Sequence, residues 1–151
     1  MKHYIIDGNN LIGKLRELNK IHLKDKKRSR EQLAFIIERN IKLKKAKVSL
    51  HFDGFADLPI NILNIKIIYS DNISADEKIK LQIGKSDNPR NIILVSSDHN
   101  LMQFGKVCGC SVMKSEEFSS RFLKENVKQE EEGRINSIDD VEEFKKLFGV
   151  K

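Results

Sequence analysis

Five aspartates stand where they could do acidic chemistry. Residues 4–6, 48–52, 65–69 and 92–95 are apolar runs, and within three residues each meets an aspartate: Asp7, Asp53, Asp71 and Asp98. Asp76 follows shortly after the third run. Ligands of open parallel sheets bind at the carboxyl ends of the strands, so acids there converge in space while remaining distant in sequence. Carboxylates brought together repel, and either one takes a proton or a cation binds between them. Asp7, Asp76 and Asp98 form an all-oxygen set suited to Mg²⁺ or Mn²⁺. Asn10 and Ser96 would orient those carboxylates by hydrogen bonding.

Plainer readings stand beside this one. A lone Asp after a strand is usually a turn former or a helix cap, and the helix dipole favours any acid in a first turn, as at Asp76. Asp71 fits a turn, and Asp53 a strand-end cap or a peripheral site member. The tripeptides Asp-Gly-Asn from position 7 and Ser-Ser-Asp from position 96 set the group apart, because each directly follows an apolar strand. His99 could contact phosphate or shuttle a proton, but an exposed helix residue is the simpler reading. His3, His22 and His51 show no ligand spacing and receive no role.

The elements that must position these residues follow from periodicity. Strands are expected at 4–6, 48–52, 65–69, 92–95 and 110–113. A turn at 8–10 precedes a helix from 11 to about 18, and residues 20–28 read as basic and irregular. Ser29 is the expected cap of the next helix, with Gln32 as its capping-box partner. Ser74 and Glu77 form a second such pair, Gly84 ends that helix, and short helices are expected at 100–104 and from Ser115 to 123. Residues 125–136 read as a polar connector before a last amphipathic helix capped by Ser137. That helix would dock on the domain or on a partner through Val141, Phe144, Leu147 and Phe148. Strands alternating with helices predict an α/β fold, a three-layer α/β/α sandwich around a mainly parallel five-stranded sheet. The domain is expected over 1–124, with connector and helix over 125–151. Gly8 stands alone, without the glycine pattern of a dinucleotide-binding turn.

The 151 residues suit one such domain. The net charge of +6 is uneven. Between positions 14 and 47, thirteen Lys or Arg face four Asp or Glu; between 125 and 143, eight acids face two bases. The basic block, with Lys24, Lys26, Lys27, Arg28 and Arg30, is either a solvated helix face or a polyanion surface. No apolar run approaches the ~20 residues of a membrane span, and Asp7 interrupts the N-terminal apolar stretch too early for a signal peptide. The expected location is the cytoplasm. Cys108 and Cys110 are read as two small thiols in a strand, too closely spaced for an easy disulfide.

The segments 4–12 (Tyr-Ile-Ile-Asp-Gly-Asn-Asn-Leu-Ile), 51–54 (His-Phe-Asp-Gly), 74–79 (Ser-Ala-Asp-Glu-Lys-Ile) and 94–101 (Leu-Val-Ser-Ser-Asp-His-Asn-Leu) together resemble NYN domains. These are a branch of the PIN-like nuclease superfamily, and the size and order are closest to the YacP-like group. The resemblance covers residues 1 to about 124. It implies a PIN-like sheet with the first strand at its centre, and a metal-dependent endoribonuclease. Asp7, Asp76 and Asp98 would be the catalytic metal ligands, with Asn10 and Asp53 in support. Asn9 replaces an aromatic usual in the YacP-like group. Asn100, a further supporting residue, takes the place of an acid common in the wider family, which weighs against a tightly held second metal.

The function expected is hydrolysis of RNA phosphodiester bonds with Mg²⁺ or Mn²⁺, with RNA, ribosome-borne RNA included, as partner. The basic block would hold the backbone without reading sequence. The alternatives are a catalytically inactive RNA-binding module of the same fold, and a phosphohydrolase acting on small nucleotides, which leaves the basic block unexplained. A toxin of a toxin–antitoxin pair would be a variant of the nuclease.

Overall fold

A computed structural model describes residues 1–41, 45–56, 62 and 64–123. The central strand β1 (His3–Asp7) is buried from Tyr4 onward, as expected of a strand covered on both faces. Helices α1 (Gly8–Lys14), α2 (Arg16–Lys24) and α3 (Lys26–Ile41) lead to β2 (Lys47–Phe52) and β3 (Ile65–Tyr69). Then α4 (Ala75–Gly84), β4 (Ile92–Val95), α5 (His99–Val107), β5 (Ser111–Met113) and α6 (Ser115–Phe118) complete the described chain, with one π-helical turn to Leu123. The sheet order is β3-β2-β1-β4-β5, and every strand pair is parallel.

Alternation along the strands separates two cores. Tyr4, Ile6, Leu50 and Phe52 face Leu11, Leu18, Leu33, Ile37 and Phe118 of α1, α2, α3 and α6. Ile5 and Leu94 face Ile79, Ile83 and Leu101 of α4 and α5. The expected three-layer fold is therefore found, with the sheet wholly parallel. From β1 the chain goes to one side for β2 and β3 and to the other for β4 and β5. The carboxyl ends of β1 and β4 flank that reversal, where open α/β sheets bind ligands.

Several local expectations are corrected. No turn separates β1 from the first helix: Asp7 itself caps α1, and Gly8 is its first residue. A Cβ at Gly8 would lie 2.6 Å from the His51 carbonyl oxygen, so only glycine lets the chain pass the end of β2 this closely. The helix expected to run to about 18 breaks at Leu15, whose backbone is extended. Residues 20–24 and 26–28, expected to be irregular, are helical. Asp25, not Ser29, caps α3: its carboxylate accepts the Arg28 N–H at 3.1 Å. Ser29 lies fully buried one turn later, its hydroxyl donating to the Lys26 carbonyl at 2.9 Å and 2.7 Å from His22 Nδ1. Ser115 is likewise inside its helix, with Lys114 in the cap position. Helix α5 extends to Val107, so Cys108 ends a helix and buried Cys110 precedes β5; both thiols are free and neither is in a strand. The Ser74 cap is found, accepting the Glu77 N–H at 3.1 Å. The connector and last helix expected beyond 124 lie outside the described residues.

Candidate active site

Asp7 ends the central strand and is 5% exposed. Ser96, fully buried just past β4, donates its hydroxyl to Asp7 Oδ2 at 3.0 Å. The same hydroxyl oxygen accepts the Asp98 N–H at 3.1 Å, so Ser96 ties two of the expected metal-binding acids together. Asp98 caps α5, its Oδ1 accepting the Leu101 N–H at 2.9 Å. Asp53, exposed beyond β2, uses Oδ1 to accept the Ala75 N–H at 2.7 Å, which holds the start of α4 and places Asp76 beside the cluster.

Asp76 and Asp53 lie near enough to Asp7, and Asp98 and Asp53 near enough to Asp76, for their charges to act on it. Burial pushes the Asp7 carboxyl from its ordinary 3.8 to about 6; Asp76 and Asp53 push the same way, while the Ser96 and Asn10 hydrogen bonds oppose. Asp76 is pushed up first by partial burial, then by Asp98, with Asp53 adding to the shift and Lys80 opposing. A cluster of this kind has surplus negative charge that a cation would neutralise.

Asn10 works by clamping loops. Its Oδ1 accepts the Ser97 N–H at 2.9 Å and the Ser115 hydroxyl at 2.7 Å, joining the start of α1 to the loop after β4 and to α6. Ser97 in turn accepts the Ser115 N–H at 3.0 Å and donates to Glu116, whose carboxyl this bond holds below its ordinary range. Asn9 accepts the Asp53 N–H at 2.8 Å. Asn9, Ser97, Ser115 and Glu116 were not singled out as site residues by type and spacing. Glu116 and Ser115 follow a short edge strand that ends in no acid, so only the fold brings them here.

Other candidates are placed apart. Asp71 is exposed, with a left-handed φ of 58°, and acts in a turn. His99 and Asn100 are exposed on the first turn of α5, outside the hydrogen-bonded cluster. In the basic block, Lys24, Lys26 and Arg28 are exposed and Lys27 partly so. Arg30 differs from these four. Its guanidinium donates to the Asp53 carbonyl at 3.0 Å and lies over the rings of Phe52 and Tyr69, 5.2 and 5.6 Å from their centroids. It braces the Asp53 turn, and its planar group suits that stacking.

The donors available to a metal are carboxylate oxygens, which suit a hard cation. Among the described residues no group of three or more His, Cys, Asp or Glu is placed so that it could hold a metal ion as it stands. Mg²⁺ is commonly held through only one or two carboxylates and keeps several waters.

The profile of the YacP-like NYN domain family matches residues 4–147. Two crystal structures of Rae1 (YacP) from Bacillus subtilis are similar to this chain. One, of a mutant, has a TM-score of 0.71 at 18% identity, covering 98% of this chain and 92% of that one. The other has a TM-score of 0.66 at 22% identity, covering 93% and 83%. Both likenesses concern the fold. No curated protein matches.

Proposed function

Since this chain belongs to the YacP-like NYN domain family, whose fold is nuclease-like, we propose that it is a metal-dependent endoribonuclease hydrolysing RNA phosphodiester bonds. The observation that carries this reading is the buried carboxyl of Asp7, held at about 6 beside Asp76 and bonded to the Ser96 hydroxyl at the sheet's topological switch point. Asp7, Asp76 and Asp98 would hold Mg²⁺ or Mn²⁺. Such an ion supplies charge stabilisation of the phosphoryl group and acidification of water. Ser96 fixes the Asp7 carboxylate, and the capping bond of Asp98 uses Oδ1 alone, so Oδ2 would be available to a cation. Asn10 keeps the loops around them in register. Lys24, Lys26, Lys27 and Arg28 would attract the RNA backbone by charge alone, a contact blind to sequence.

The open set of acids supports a second reading, an RNA-binding module that does not cleave. The deciding experiment incubates wild type and Asp98→Asn with a mixed structured RNA, in Mn²⁺ or EDTA. Asparagine caps helices as well as aspartate does, so the variant keeps its fold. Cleavage by wild type alone, and only with metal, is expected. Equal cleavage by both proteins would remove the site from consideration, and none by either would favour the module.

A further inference from the structure

The α4 side of the sheet leaves a groove that the proposed reaction does not use. Its upper part, 240 Å³, lies between α4 and the ends of β2 and β3, lined by His51, Lys66, Ile68, Lys78, Leu81, Gln82 and Lys85. Its lower part, 610 Å³, shares Lys66 and Gln82 and adds His3, Lys47 and Ser49. No carboxylate lines either part, whereas four lysines do. Lys66 and Lys85 are exposed and enter no ion pair among the described residues.

The floor is a chain of polar side chains. Gln82 Nε2 donates to Ser49 Oγ at 3.0 Å, so its carbonyl faces His51 Nε2, 2.6 Å away, and accepts from it. His3 Nε2 lies 2.8 Å from the same Ser49 hydroxyl. His51 is 1% exposed, and its Nδ1 has no partner. With Nε2 carrying the proton, the buried Nδ1 is an acceptor without a donor among the described residues.

The lower part lies at the amino ends of the strands, and the upper part lies toward their carboxyl ends. His51 is the register partner of Asp7, and Lys78 follows Asp76 by two residues on α4. Lys78 and Lys85 are separated by seven residues, about 10 Å along the helix. One small anion cannot bridge that distance, but an extended chain of phosphates can. The basic block of α2 and α3 packs on the opposite face of the sheet.

We propose that this groove between α4 and the β2–β3 edge seats the phosphodiester backbone of a single RNA strand on one side of the carboxylate site, with Lys47, Lys66, Lys78 and Lys85 on its phosphates. The inference rests on the reading of the protein as one that acts on RNA. The strand crosses the carboxyl end of the sheet and is gripped on both faces, the basic block on one and the groove on the other.

The test measures binding of a fluorescent single-stranded oligoribonucleotide in EDTA over a range of salt. It compares wild type, Lys66→Glu/Lys85→Glu, and a charge-matched control, Arg90→Glu/Lys106→Glu, at exposed positions away from the groove. The groove variant should lose about tenfold more affinity than the control. Its slope of log affinity against log salt should be shallower than that of wild type by about 1.4, as for two lost phosphate contacts on a single strand. Equal losses in groove variant and control would overturn the groove. Cleavage by wild type in Mn²⁺ is scored separately. A groove-specific loss without cleavage would sustain the groove and remove the nuclease reading, and cleavage without a groove-specific loss would do the reverse.

Discussion

Asp7 costs the folded protein something, and that cost is measurable. Its carboxyl, at about 6 against an ordinary 3.8, binds a proton more tightly when folded. The stability this contributes is fully present below about 3.8 and is lost as pH rises through about 6, to the extent of about 3 kcal/mol. His51 runs the other way. Burial lowers it from 6.5 to about 4, so its contribution is present above 6.5 and is lost as pH falls through about 4. In EDTA the two slopes oppose each other in wild type. Asp7→Asn removes one of them, so its melting temperature should climb with pH between about 4 and 6.5 more steeply than wild type. It should also exceed wild type at pH 7 while abolishing cleavage. Identical melting profiles for the two proteins would show that Asp7 is not strained by its surroundings. Ser96→Ala tests the neighbouring bond. Losing the hydroxyl leaves a buried carboxylate oxygen unpartnered, and the expected cost is about 1–3 kcal/mol of stability and about 10–100-fold in metal affinity, read by titration with Mn²⁺.

At the scale of elements, the site depends on where helices begin. Asp7, Ser74 and Asp98 each cap a helix that starts at the carboxyl end of a strand, so the residues that start these helices also set the site's geometry. The start of α3 separates two readings of the sequence. Asp25→Ala should cost about 1 kcal/mol in denaturant unfolding as a lost cap. Ser29→Ala should leave α3 capped, its cost being the lost bond with His22. Equal helix fraying in the two variants, by hydrogen exchange at Lys27 and Arg28, would contradict this assignment. Gly8→Ala should be worse than either. The added methyl meets the His51 carbonyl and the Phe52 ring, and relief requires moving α1 off β2, at about 1–3 kcal/mol.

For the whole molecule, charge is arranged around a strand-end centre of opposite sign. On the proposed reading, Mg²⁺ should raise the melting temperature of wild type, equivalent to about 2.7 kcal/mol at a hundredfold excess over its Kd, and should leave Asp7→Asn unmoved. A rise in both proteins would place the ion elsewhere. Much of this organisation was legible in the chain itself. Apolar runs of strand length ending in polar tripeptides announced a parallel sheet with acids at one edge, because burial on both faces demands continuous apolar strands and the ends are where polar groups can stand. The order of four short segments pointed to the YacP-like NYN family, to which the chain belongs. The cap of α3 was misplaced because Asp25 and Ser29 offer the same side-chain chemistry one turn apart, and only packing decides which faces inward. Asn10 could be named from sequence, but its bonds to Ser97 and Ser115 could not, since they join residues 87 and 105 positions away. The transfer of Arg30 from the basic block to the Asp53 turn, and the lysine-lined groove beside α4, were equally invisible. Local pattern determined which residues stand at strand ends and which faces are apolar, because those follow from short-range periodicity. The tertiary structure alone decided which polar groups meet, because strand order and helix docking set the distances between segments remote along the chain.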